Sequence, residues 1–130
     1  MRSIGLDIAV VFTGGGLGAV SRWILSDYVQ KVSRTTLFPW GTLAVNIIGS
    51  FLLGFIMGAA IIHGAFDHSE RLFIATGFAG AFTTFSTFMY ETTRLIADNP
   101  YTGIANLLAS ILLGLATVYL GYIAAGVLYG

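Results

Sequence analysis

The sequence predicts an all-α integral membrane protein. It is expected to form one domain, residues 1–130, with four transmembrane helices, the third broken near its middle. Charged residues make up only 9% of the chain, against about 25% in soluble domains, too few to coat a globule. Mean hydropathy is +0.86. Four apolar stretches are each long enough to supply the roughly 20 helical residues that cross a bilayer core, and the breakers and most charges fall between them.

The first stretch covers residues 4–27. Arg2 is followed closely by Asp7, and the apolar run from Ile8 contains "TGGGLGAV" with no clear cleavage site before Arg22. It therefore reads as a retained helix and not as a signal peptide. The second, third and fourth stretches cover residues 41–62, 72–97 and 103–128, after the connectors "YVQKVSRTTLFPW", "HGAFDHSER" and "DNPYT". Pro39 and Pro100 stand in connectors, where a missing N–H costs least.

Glycine is abundant, 17 of 130 residues, about twice ordinary usage. Small or polar residues recur every fourth position: Gly14, Gly18 and Arg22; Asn46, Ser50, Gly54 and Gly58; Asn106, Ser110 and Gly114. Such spacing puts each set on one helix face and predicts close backbone packing. The polar members then share packed seams and do not face lipid.

Basic residues give almost no orientation signal. Arg2 and Arg71 fall on one side; Lys31 and Arg34 fall on the other, with Arg22 and Arg94 near helix ends. The positive-inside rule has little to act on, so the chain is expected to insert both ways and pair as an inverted dimer, much as inverted repeats pair within larger transporters. A single orientation fixed by Lys31 and Arg34 is the alternative.

Several function classes drop out. Net charge is zero, which gives no reason to expect a nucleic-acid partner. No cysteine is present, and no serine has a partnered histidine. His63 and His68 flank a polar connector and read as solvated. The sequence has no metal-ligand cluster and no phosphate-binding GxxxxGK[ST] motif. It reads as a non-enzyme whose transport, if any, is passive or gradient-coupled.

The polar residues inside the spans are more informative. Asn46 must find partners when buried, either across a helix interface or in a pore. Arg22 reads as structural or as an electrostatic funnel at an aqueous entrance. Glu91 and Arg94 are three residues apart, and a local ion pair is expected. In the third stretch, "GAFTTFSTF" (residues 80–88) packs four hydroxyls and three phenylalanines into nine residues. Ser and Thr hydroxyls compete for backbone carbonyls, and glycine eases departure from helical geometry. A break between Gly80 and Thr83 is one reading; an intact helix with back-bonded hydroxyls is the other. Phe78, Phe82, Phe85 and Phe88 form a helical stripe, which either packs or offers positive ring edges to an anion.

"GGGLGAVSRW", "GTLAVNIIGSFLLG" and "TGFAGAFTTFSTF" resemble the Fluc (CrcB) family of fluoride channels across all four stretches. The resemblance implies an antiparallel, dual-topology homodimer with two fluoride pores and a central structural sodium ion. It implies that Asn46, Phe85 and Phe88 line the pore, with Ser86 and Thr87 on its hydroxyl side and Thr42 nearby. The backbone carbonyls of Gly80 and Thr83 would bind the sodium. Asn106 and Ser110 are candidates for a polar track on the fourth helix, where the match is poorest, and Asp7 has no place in the pattern. The implied function is passive leak of cytoplasmic fluoride across the inner (plasma) membrane of a prokaryote. Two other readings of the chain are a proton-coupled small multidrug exporter and a structural membrane subunit. The exporter needs a carboxylate deep in the membrane, whereas Asp7, Asp27 and Glu91 are expected near helix ends. The subunit would need neither Asn46 nor the Phe and hydroxyl stripe.

Overall fold

A computed structural model describes residues 3–130; Arg2, counted above in the charge balance, lies outside the described residues. Among those residues all regular structure is helical, and four helical spans are long and apolar enough to cross a membrane. The first is α1 (Ile4–Val32) and the second α2 (Trp40–His63). The third span, His68–Asp98, consists of α3 (residues 68–82) and α4 (Phe85–Asp98). The fourth is α5 (Pro100–Tyr129).

Local chemistry accounts for the boundaries. α1 continues past Asp27, whose carboxylate pairs with Lys31 one turn on. Pro39 precedes α2 and offers no side-chain cap; Gln30 of α1 takes over that work. Its Oε1 accepts from the Gly41 N–H at 3.1 Å, and its Nε2 donates to the Thr35 and Phe38 carbonyls at 2.6 and 3.1 Å. α2 ends on Gly64 at φ 64°, the left-handed turn that suits glycine. α3 opens with a capping box between Asp67 and Glu70. Asn99 alone joins α4 to α5: its side chain accepts from the Tyr101 N–H at 3.1 Å, and Pro100 stands in the first turn.

Within α3, residues Leu72–Ala79 form a π-helix, in which the Gly80 N–H reaches back five residues to the Ala75 carbonyl. Such wide turns cluster at functional sites. α2 packs most extensively on α5, α1 packs on α3, and α4 rests on α5. The glycine seams make these approaches possible. A side chain at Gly14 would meet the Phe73 carbonyl, one at Gly18 the Phe78 carbonyl, and one at Gly54 the Val118 carbonyl. The outer faces stay apolar and uncovered: only 11% of the most apolar window of α1, and 11% of that of α5, is buried within the chain.

Gly18→Ala is expected to destabilise the protein by about 1–3 kcal/mol, the usual effect of overpacking, because backbone must move. Gly16, which faces open space, should accept alanine without loss. Thermal unfolding of both variants in detergent checks the contrast.

Candidate functional site

The break in the third span lies at Thr83–Thr84, later than the sequence reading between Gly80 and Thr83. Gly80 remains helical at φ −62°, ψ −36°, whereas Thr83 (−93°, 160°) and Thr84 (−147°, 113°) are extended. Extended backbone suits β-branched residues, and Thr84 also caps the second half. Its hydroxyl accepts from the Thr87 N–H at 3.3 Å and pairs with the Thr87 hydroxyl at 3.0 Å. The Thr83 hydroxyl bonds back to the Ala79 carbonyl at 3.0 Å. Back-bonding and a break, posed above as alternatives, occur together.

A break leaves peptide groups to be satisfied at both new helix ends. Asn46 of α2 meets Thr84 at two points: Oδ1 accepts from the Thr84 N–H at 2.7 Å, and Nδ2 donates to the Thr84 carbonyl at 3.1 Å. Arg22 of α1 donates from Nε to the Ala81 carbonyl at 3.0 Å. The Thr84 N–H would otherwise close a helical turn on the Gly80 carbonyl, and the Thr87 N–H one on the Thr83 carbonyl. Both donors are engaged elsewhere, so the two carbonyls implied for sodium are ones the break releases. Gly49 lies one turn from Asn46, where any side chain would strike the Thr83 methyl.

Two separate cavities lie along this part of the chain. One, of about 260 Å³, is lined by Asn46, Gly80, Thr83, Thr84, Phe85 and Phe88, among others. The other, of about 710 Å³, opens between the first connector and α4 and includes Gln30, Thr87, Glu91 and Arg94. Thr84 lines the first and Thr87 the second, and the hydroxyls of these two residues are 3.0 Å apart.

The remaining expected residues are placed as follows. Phe88 is buried and Phe85 is 74% exposed, their rings edge-on with centroids 6.3 Å apart. Ser86 is exposed. Thr42 is buried and donates to Glu91 Oε1 at 2.9 Å. This bond replaces the expected Glu91–Arg94 pair, which does not form among the described residues. Glu91 also lies about two turns inside α4, away from the helix end where it was expected. Asn106 is buried, donates to Thr92 Oγ1 at 2.8 Å and faces Ser110 at 3.5 Å; neither Asn106 nor Ser110 lines the two cavities. His68 lies 3.5 Å from Asp7. His63 is half-buried: its Nε2 is enclosed and its ring lies beside Tyr129. The sequence reading missed the capping role of Thr84 and the close approach at Gly49. Their signals were the Thr84-x-x-Thr87 spacing inside an apolar span, and a glycine three residues after Asn46 on the same face.

Four spans, one of them interrupted beside hydroxyls and phenyl rings, define a multi-pass α-helical membrane protein. Residues 9–122 match the family described as CrcB-like protein, Camphor Resistance (CrcB). The fluoride-specific ion channel FluC of Thermotoga maritima is 42% identical over 120 residues, covering 92% of this chain and 94% of the relative. That of Pyrococcus furiosus is 44% identical over 120 residues, covering 92% and 95%, and that of Geobacter sulfurreducens 43% over 119, covering 91% and 95%. The chain belongs to this CrcB family, and these relatives are named as ion channels, not enzymes.

Thr84→Val should cost about 1 kcal/mol of stability through the lost cap, whereas Thr84→Ser should stay within about half of that. Denaturant or thermal unfolding in micelles reads the difference.

Proposed function

We propose that this protein is a passive, fluoride-selective channel that lets cytoplasmic fluoride leave the cell. The observation that supports it best is the cavity at the break, where Asn46, two phenylalanines and hydroxyls converge. A small, strongly hydrated anion needs replacement donors to shed its water. Asn46 Nδ2 carries two hydrogens; Thr84 takes one, and the other is free to donate. Phe85 and Phe88 offer positive ring edges. In this reading the Thr84 and Thr87 hydroxyls would link this cavity to the larger one, with Ser86 and Thr42 on the hydroxyl side as the family resemblance implies. None of these groups carries a fixed positive charge, so the path would bind the ion without trapping it. Asn106 and Ser110 remain candidates for a polar track. Fluoride that enters as the weak acid HF dissociates inside, and a passive leak relieves the accumulation. The relatives' names support the same ion, and their sources are consistent with the inner (plasma) membrane of a prokaryote.

The working unit in this reading is an antiparallel homodimer with two pores. The balanced basic residues and the uncovered outer faces support it. The Gly80 and Thr83 carbonyls would hold a structural sodium ion, a hard cation suited to oxygen donors. When bound, the ion supplies a positive charge to carbonyl dipoles that the break has released.

Purified protein in liposomes loaded with potassium fluoride should release fluoride rapidly once a potassium ionophore is added. Phe85→Ile and Phe88→Ile should each lower that flux at least about tenfold, since alkyl groups lack the positive edge. No fluoride release from the wild-type protein rejects the reading, and undiminished flux in both variants removes the rings from the path.

A basic tag that forces one orientation should abolish flux, and coexpression of oppositely biased versions should restore it. Replacing sodium by a large organic cation should lower the dimer fraction on size exclusion. Full activity from one forced orientation argues against the antiparallel pair, and an unchanged dimer argues against the ion.

A further inference from the structure

We infer that Asn46 and Arg22 are positioning residues that hold the third span open, Asn46 by engaging the N–H and C=O of Thr84 together. The geometry is specific. Thr84 is extended, and an extended residue points its own N–H and C=O to the same side, as in a strand pair. A primary amide presents one acceptor and one donor side by side, so Asn46 matches that edge at 2.7 and 3.1 Å. Aspartate lacks the donor, leucine lacks both groups, and glutamine carries its amide one methylene too far. Arg22 does the complementary work on the other half. The N–H that would close a helical turn on the Ala81 carbonyl belongs to Phe85, beyond the break, and Arg22 Nε takes its place at 3.0 Å. The two clamps come from α2 and α1, so neighbouring helices set the break together with its own sequence.

Asn46 is thus held by Thr84 before any ion arrives, and the remaining Nδ2 hydrogen has a fixed direction. This consequence for flux rests on the pore reading; the clamp itself does not. It also gives Asn46→Asp two separable reasons to fail: a lost donor to the ion, and a lost donor to the Thr84 carbonyl.

The test is site-resolved hydrogen exchange on purified protein labelled with ¹⁵N-threonine, the Thr84 signal being identified by its absence in Thr84→Ser. In Asn46→Ala the Thr84 amide should exchange at least about tenfold faster, as expected for a lost, partly buried hydrogen bond. In Asn46→Asp it should stay slow, because a carboxylate still accepts. Thr13 and Thr117, within intact helices, serve as references and should not change. In ¹⁵N-arginine protein the Arg22 Nε–H, identified by its absence in Arg22→Lys, should exchange more slowly than that of exposed Arg94. An unchanged Thr84 rate in Asn46→Ala overturns the inference, as does equal acceleration of Thr13 and Thr117. An Arg22 Nε–H as fast as that of Arg94 also overturns it. Should Asn46→Ala fail to fold, Asn46→Asp and the wild-type Arg22 signal still decide. Exchange is read without transport, so a chain that conducts no fluoride would leave the clamp standing, and a missing clamp would leave conduction standing.

Discussion

Hydrocarbon cannot hydrogen-bond a peptide group, and each unsatisfied one costs several kcal/mol. The structure depends on how it meets that constraint at Thr83–Thr84. Partners for the released groups come from three directions. Thr84 uses its own hydroxyl on the Thr87 N–H. α2 brings Asn46 to Thr84, and α1 brings Arg22 to Ala81. These reaches are short only because the helices approach closely. At Gly18 and Gly14 a side chain would push α1 away from the main chain of α3, and at Gly49 one would push α2 away from Thr83. The glycines therefore set the distances at which the polar clamps work.

The π-helix at Leu72–Ala79 belongs to the same arrangement. It holds more residues per turn than an α-helix, so the faces presented by Gly80, Thr83 and Phe85 differ from those that a 3.6-residue period projects. Gly77 lies inside it, close to the Val11 carbonyl and to Gly14 of α1. A wide turn fits against α1 where both helices lack side chains. The distortion thus begins before the break, on the segment that α1 grips.

How much of this was legible follows from the range of each interaction. The four spans could be read because charge scarcity and hydropathy are properties of each stretch alone. The seams at Gly14 and Gly18 and at Gly54 and Gly58 could be read because a four-residue spacing survives folding. That "GAFTTFSTF" strains a helix was also legible, since hydroxyls and glycine act locally. The position of the break was not. Gly80 permits departure from the helix but does not require it, while Thr84 is held extended by Asn46, 38 residues away in sequence. Thr42 likewise claims Glu91 from across the fold, against the local expectation that Glu91 pairs with Arg94. The stacking of His63 beside Tyr129 depends on where α5 ends relative to α2. In each case a long-range partner overrode a sound local preference.

One consequence concerns what the single chain leaves open. Gly80 is exposed, and Phe85 beside the break is 74% exposed. Irregular backbone at membrane depth is tolerated where protein or an aqueous cavity covers it, and not against lipid. Asn46 and Arg22 satisfy the faces of the break that turn toward α2 and α1; they leave the Gly80 and Thr83 carbonyls without their helical donors. That side borders the smaller cavity, and either water there or further protein could cover it. A second copy in the opposite orientation would bring an identical broken segment, and with it a matching pair of carbonyls. The proposed dimer and the proposed cation therefore answer one physical demand, and the clamps inside each chain keep the carbonyls in place for both.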